Sequence, residues 1–220
     1  QPSLVPSSWG VLRLSADLHP TAALEGLEAF SHLWLVFVFH QNTNKVVRPK
    51  VHPPRLEGES LGIFATRTPH RPNPIGLSVV KLEKLAEGGV LHLSGVDLLD
   101  GTPILDIKPY LPSADLVTGA SAGWTAPLPE RTLRVSFEAQ ALVDLDRLFG
   151  SRSVSARSAI VELLELDPRP VFYRGSVEKP NPYTDVYGFR FDDFNVVYRM
   201  SGASASVLSL EPWTEYQASL

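Results

Sequence analysis

Proline stands at 69, 72 and 74 in the stretch Gly62-Ile-Phe-Ala-Thr-Arg-Thr-Pro-His-Arg-Pro-Asn-Pro-Ile-Gly76. Each ring fixes its own φ near about −65°, removes an amide donor, and drives the residue before it toward extended geometry, here Thr68, Arg71 and Asn73. The segment cannot be helical, and its shape is set before anything binds. Arg67, His70, Arg71 and Asn73 then present donors suited to phosphate or carboxylate oxygens, with little left to order on binding. A solvated connection between two strands fits the same residues. After Gly76, Leu77-Ser-Val-Val-Lys-Leu82 alternates roughly as a half-buried strand does.

A second chemically dense segment, Asp97-Leu-Leu-Asp-Gly-Thr-Pro-Ile-Leu-Asp106, carries acids at 97, 100 and 106. Asp100-Gly101 is a turn signal, and it predicts two paired strands with these carboxylates at their ends. Carboxylates at such a rim can accept from the two hydroxyls of a ribose or offset a cationic ligand; Asp as a plain turn former is also compatible. No metal is expected, because the chain has no Cys and no His-x-x-x-His or Glu-His spacing accompanies the acids.

The absence of Cys also excludes a disulfide framework and a cysteine nucleophile. A length of 220 residues suits one large or two modest domains. The longest strongly apolar run, Leu33-Trp-Leu-Val-Phe-Val-Phe39, has seven residues, against the roughly 20 that cross a bilayer. A soluble, cytoplasmic protein without membrane contact is expected.

The formal net charge of −4 conceals a cationic stretch: from His40 to Leu85 there are eight Lys or Arg (45, 48, 50, 55, 67, 71, 81, 84) against three Glu (57, 59, 83). RNA phosphates would be met there. Arg48, Lys50 and Arg55, in a loop with Pro49, Pro53 and Pro54, are the better candidates, whereas Lys81 and Lys84 read as solvated strand-end charges.

Periodicity predicts a short helix over 21–30 and strands over 33–39, 61–66, 76–84, 89–97, 103–109 and 131–138. Short strands divided by Gly/Pro turns favour a mainly β protein, an antiparallel barrel rather than βαβ units. Residues 112–129 read as a surface loop or partner-contacting arm. Helical spacing over 139–149 and 153–166, then strand-like runs at 171–174, 186–191, 194–200 and 205–210, predict a smaller α+β domain over 139–220 behind a β domain over 1–138. Tyr173 and Arg174 belong to a set of interleaved aromatics and cations able to stack bases and pair phosphates, although each is also an ordinary packing or surface residue.

Several strings together resemble the TsaA-like family, best known for TrmO-type tRNA adenine N6-methyltransferases. They are Gly-Leu-Glu-Ala-Phe-Ser-His-Leu-Trp (26–34), Phe-Val-Phe-His-Gln (37–41), Arg-Pro-Lys-Val-His-Pro-Pro-Arg-Leu (48–56), the proline loop, and Asp-Gly-Thr-Pro-Ile-Leu-Asp-Ile-Lys-Pro-Tyr (100–110). Asp-Pro-Arg-Pro (167–170), Asp-Phe-Asn-Val (193–196) and Leu-Glu-Pro (210–212) resemble the C-terminal domain of its bacterial branch.

The resemblance implies a single-sheeted β-barrel that binds S-adenosylmethionine, and a homodimer. It implies cofactor contacts at Gln1, Pro2, His40, Gln41, Arg67, Leu77 and Asp97, Leu98, Leu99 and Asp100. It also implies a further opening strand ahead of Gln1, so that this barrel would lack one strand and one contact. No Gly-x-Gly-x-x-Gly follows a strand, as expected outside the doubly wound methyltransferases.

The implied reaction is methylation of N6 of the threonylcarbamoyl-modified adenosine (t6A) beside the tRNA anticodon, giving m6t6A. Arg71 would hold the added carboxylate and Asn73 would bond near the acceptor nitrogen; neither is assigned firmly as catalytic. The RNA-binding set is Arg48, Lys50, Arg55, Arg71, Tyr173 and Arg174. Two other readings are kept: a non-catalytic RNA- or nucleotide-binding β-barrel module, and a hydrolase pairing acids among Asp97, Asp100 and Asp106.

Overall fold

Alternation along His32–Val38 sends Leu33, Leu35 and Phe37 to one face, and that face is buried. The computed structural model describes residues 4–42, 46, 48–53, 56, 58–126, 133–169 and 185–213. It divides into two units, Gln1–Gly123 and Trp124–Leu220.

The strands of the first unit are β1 (Trp9–Arg13), β2 (His32–Val38), β3 (Lys50–Val51), β4 (Leu61–Gly62), β5 (Ile75–Ala86), β6 (Val90–Ser94) and β7 (Ile104–Pro109). Five form an antiparallel sheet in the order β1-β6-β5-β2-β7, while β3 and β4 pair separately. Leu12, Leu33, Leu35, Phe37, Val80, Leu91 and Leu93 make the core on one face of that sheet.

The expected closed barrel is corrected on this point: among the described residues the sheet is open, with β1 and β7 as its edges. The strand expected over 61–66 does not join it. Ile63–Ala65 turns as a 3-10 helix directly after Gly62, leaving a two-residue ribbon with β3, whose flanking Pro49 and Pro53 have no amide hydrogen to extend it. Too few strands then line the gap for closure.

The expected hairpin across Asp100-Gly101 is also corrected. The turn exists, with Gly101 at φ +68° and the Thr102 hydroxyl donating to the Leu99 carbonyl at 2.6 Å, but β6 and β7 are not neighbours. β5 and β2 lie between them, so residues 95–103 cross the end of the sheet. The helix expected over 21–30 shrinks to α1 (Pro20–Ala23) and a 3-10 turn at Leu27–Ala29, separated by Gly26 at φ +83°. The proposed arm begins as α2 (Pro112–Asp115), pinned to the sheet where the Trp34 indole donates to Asp115 Oδ2 at 2.9 Å.

The second unit holds β8 (Arg134–Phe137), α3 (Ala139–Phe149), α4 (Ser153–Glu165), β9 (Val186–Phe191), β10 (Phe194–Ser201) and β11 (Ser204–Pro212). Its sheet runs β8-β11-β10-β9, with β8 parallel to β11 and the other pairs antiparallel. The strand foreseen before 138 therefore pairs inside the second unit, which begins ahead of the boundary expected at 139. Asp144 ties helix to sheet: its buried carboxylate accepts from the Leu210 amide at 3.1 Å, Gln140 at 3.0 Å and Arg147 at 3.0 Å. Among the described residues no helix is long and apolar enough to cross a membrane.

Candidate active site

The crossing of residues 95–103 over the sheet end creates a cavity. Its volume is about 470 Å³, and it is lined by Phe37 to Asn42, Pro69, His70, Asp97 to Leu99 and Thr102. That lies within the range of about 300–1,000 Å³ common for small-molecule sites. Three pieces of chain meet there: the exit of β2, the tip of the proline loop, and the β6–β7 crossover.

Each piece is fixed by bonds that the sequence makes available. The Val38 amide donates to the Pro103 carbonyl at 3.1 Å and the Phe39 amide to the Pro74 carbonyl at 2.8 Å, so the β2 exit is held on both sides. Asn42 Nδ2 donates to the Pro69 carbonyl at 2.8 Å, clamping the cavity lip to the proline loop. Ser78, only 6% exposed on β5, donates its hydroxyl to Asp97 Oδ1 at 2.9 Å and aims that carboxylate.

Apolar residues make the inner wall. The rings of Phe37 and Phe39 meet edge to face at 5.2 Å between centroids. This wall with one aimed carboxylate suits a nucleoside whose base lies among apolar groups and whose ribose hydroxyls donate to the acid. Aromatic rings also attract a sulfonium cation. The donor set fits S-adenosylmethionine. Among the described residues no group of three or more His, Cys, Asp or Glu comes together to hold a metal.

The proline loop stands beside the cavity as a braced, cationic rim. Arg71 Nη1 donates to the carbonyls of Thr66 at 2.9 Å and Ile63 at 3.2 Å, and the Arg71 amide donates to the Pro69 carbonyl at 3.0 Å. Arg67, His70 and Asn73 are exposed along the same loop. Arg48 and Lys50 are exposed on the chain leading into β3 and on β3 itself, and β3 pairs with β4 just ahead of the loop.

Comparison with known proteins gives the same two-part division. The model described as the tRNA-methyltransferase O N-terminal domain matches residues 1–116, and that described as the TrmO C-terminal domain matches 130–213. The chain belongs to the tRNA-methyltransferase O family. A relative from Escherichia coli (strain K12), named tRNA (adenine(37)-N6)-methyltransferase, is 42% identical over 219 residues, covering 96% of this chain and 89% of the relative. The mouse protein of that name is 52% identical over 117 residues, covering 52% of this chain and 27% of its own length. The solved structure of TrmO from Pseudomonas aeruginosa superposes with a TM-score of 0.73 at 40% identity, covering 96% of this chain and 88% of that one.

Of the cofactor contacts that the resemblance to the TsaA-like family implied, the fold brings together His40, Gln41, Asp97, Leu98 and Leu99 around the cavity. Arg67, Leu77 and Asp100 do not line it. Leu77 pairs with Val36, out of phase with Phe37, so its half-exposed side chain lies on the opposite sheet face. Gln1, Pro2, Arg55, Tyr173 and Arg174 lie outside the described residues. Asp106 is on β7, where the Lys108 ammonium at 2.7 Å holds its carboxyl below the usual range; it does not line the cavity with Asp97, which leaves the hydrolase reading without its acid group.

Sequence reasoning missed Asn42, Ser78 and Thr102. Asn42 follows the expected His40-Gln41 pair directly, and extending that string by one residue would have included it. Ser78 carried a fainter signal, a hydroxyl on the inward phase of a strand whose other inward residues are Gly76 and Val80.

Proposed function

We propose that this chain transfers the methyl group of S-adenosylmethionine to N6 of the threonylcarbamoylated adenosine beside the tRNA anticodon. The observation that carries the reading is the sharing of Pro69 and His70: they line the cavity that suits the methyl donor, and they belong to the cationic loop that suits the acceptor RNA. The names of the relatives supply the reaction and the adenosine position.

S-adenosylmethionine supplies a methyl group already activated by sulfonium. A C–N bond forms as the C–S bond breaks, sulfur keeps the electron pair, and the amine gives up one proton to solvent. The exocyclic amine of adenine is a weak nucleophile because its lone pair is delocalised into the ring. The residues of the site therefore act chiefly by positioning, an effect worth about 7–11 kcal/mol in favourable cases. Phe37 and Phe39 exclude water, Ser78 and Asp97 fix the ribose, and the proline loop orients the acceptor.

The threonylcarbamoyl group brings a carboxylate to the acceptor. Arg71 Nη1 is committed to two loop carbonyls, whereas Nε and Nη2 have no partner among the described residues. That edge of the guanidinium has the geometry to take a carboxylate in two parallel bonds. Asn73, exposed on the same loop, would supply a hydrogen bond near the acceptor nitrogen. A homodimer fits the strip of Val36, Ile75 and Leu77 on the outer sheet face, where Ile75 and Leu77 are exposed. A cytoplasmic location, where tRNA is found, fits the substrate.

The test is labelled methyl incorporation from S-adenosylmethionine into tRNA with and without the threonylcarbamoyl group, alongside calorimetric titration of the cofactor. Incorporation only into the modified tRNA is expected. Cofactor binding without incorporation would leave a nucleotide-binding module, and no cofactor binding would discard the transferase reading.

A further inference from the structure

Phe64 is the most exposed large apolar residue among those described, at 78%. A lone exposed apolar side chain needs no explanation, but this one is held outward by an unusually complete brace. It sits in the 3-10 turn Ile63–Ala65, whose first residue is buried as an anchor. The Ile63 amide donates to the Pro49 carbonyl at 3.1 Å, joining the turn to the chain before β3. The Ile63 carbonyl accepts from the Thr66 hydroxyl at 2.9 Å and from Arg71 at 3.2 Å, and Arg71 also reaches the Thr66 carbonyl at 2.9 Å. The same guanidinium lies over the Phe64 ring, 5.6 Å from its centroid.

The ring thus has a fixed cation on one side and open solvent over most of the rest. A flat apolar surface backed by an arginine, among the exposed cations Arg48, Lys50 and Arg67, matches an unpaired nucleobase whose phosphates run along basic groups. The cavity wall is close in chain terms, because the Arg71 amide bonds to the carbonyl of Pro69, which lines it. Phe64 itself does not line the cavity.

We propose that Phe64 is a stacking platform for an unpaired base of the substrate tRNA that neighbours the methylated adenosine. This rests on the tRNA reading of the site. The platform places the acceptor strand: stacking fixes the base next to the target, and Arg71 couples the height of the ring to the loop that receives the adenosine. Phe64 touches neither the methyl donor nor the reacting nitrogen, so it is a specificity-determining and positioning residue rather than a catalytic one.

The test compares the full chain with F64A, F64L and F64W. An anticodon stem-loop RNA carrying the threonylcarbamoylated adenosine is titrated by fluorescence anisotropy, together with calorimetry of S-adenosylmethionine, steady-state methylation and sedimentation velocity. F64A and F64L are expected to raise the RNA Kd and the KM about 5- to 100-fold, the range that loss of one base–aromatic stack implies. The same two variants should leave cofactor Kd, kcat at saturating RNA and oligomeric state at wild-type values. F64W is expected to restore RNA affinity, since a larger ring stacks where an aliphatic side chain cannot. Unchanged RNA affinity in F64A would overturn the platform, and so would full affinity in F64L, which would reduce the ring to a generic apolar contact. A shift in sedimentation with F64A would reassign the ring to a contact between copies of the chain. If the wild type itself transfers no methyl group to tRNA, the tRNA reading fails; an active wild type with indifferent variants sinks the platform alone.

Discussion

The ring of Phe37 lies so close over Gly76 that a Cβ on the glycine would sit 2.2 Å from two ring atoms. These residues pair across β2 and β5, and Phe37 forms part of the cavity wall. The absent side chain at 76 is what lets the ring tuck inward. Gly76→Ala must push the ring or bend β5, a small-to-large change costing about 1–3 kcal/mol. The expected outcome is a lowered melting temperature together with loss of cofactor binding by calorimetry. A folded variant with wild-type affinity would remove Phe37 from the binding wall.

Ser78 and Asp97 lie 2.9 Å apart, the hydroxyl donating, with Ser78 almost fully buried. Removing the hydroxyl takes away one bond that aims the carboxylate, and a hydrogen bond to a charged acceptor is worth about 1.5–3 kcal/mol. Ser78→Ala should weaken S-adenosylmethionine roughly 12- to 30-fold, within the lower part of that energy range. Asp97→Ala should weaken it further, and the double variant should add little to Asp97→Ala because both act through one contact. Titration calorimetry reads all three; full additivity would show that Ser78 acts elsewhere.

Arg71 combines a brace on the turn with an open guanidinium edge. Arg71→Lys keeps the charge but cannot span two carbonyls and still present a second donor pair. Both Arg71→Lys and Arg71→Ala should cut kcat/KM on threonylcarbamoylated tRNA by about 10- to 100-fold, corresponding to about 1.4–2.8 kcal/mol, with cofactor affinity retained. Single-turnover methylation separates the two steps. Turnover at the wild-type rate in Arg71→Ala would end the carboxylate assignment.

The parts of this molecule legible from sequence are those whose period is decided by one buried face. β2, β5, α3 and α4 fall where apolar spacing places them, because Leu33, Leu35 and Phe37, or Leu145 and Phe149, must all reach one core. What periodicity does not encode is the partner. Asp100-Gly101 announces a turn without revealing that β5 and β2 separate the strands on either side. Arg134–Phe137 reads as one more strand without revealing that it pairs with β11, far along the chain. β1 went unforeseen because Trp9–Arg13 lies at a sheet edge and buries only Leu12 fully. The site was half legible for the same reason: chemically marked strings gave His40, Gln41 and Asp97, whereas Asn42 and Ser78 matter through bonds to residues distant in sequence.

Asp144 sets the acid limit of the second unit. Burial pushes its carboxyl up, but the Leu210 amide, Arg147 and Gln140 outweigh that and hold it below its ordinary range. A carboxyl depressed in the folded state adds stability that is complete above its unfolded value, about 3.9, and is lost as pH falls through the lower folded value. Stability should therefore be flat from Asp144 near neutrality and decline below about pH 4. Asp144→Ala leaves the buried Leu210 amide unsatisfied and should cost about 2–4 kcal/mol at pH 7. Because the variant has no proton to take up at that position, its curve of urea unfolding free energy against pH should approach that of the wild type below about pH 4. Parallel curves across the acid range would show that the ionised carboxylate is not what joins α3 to β11.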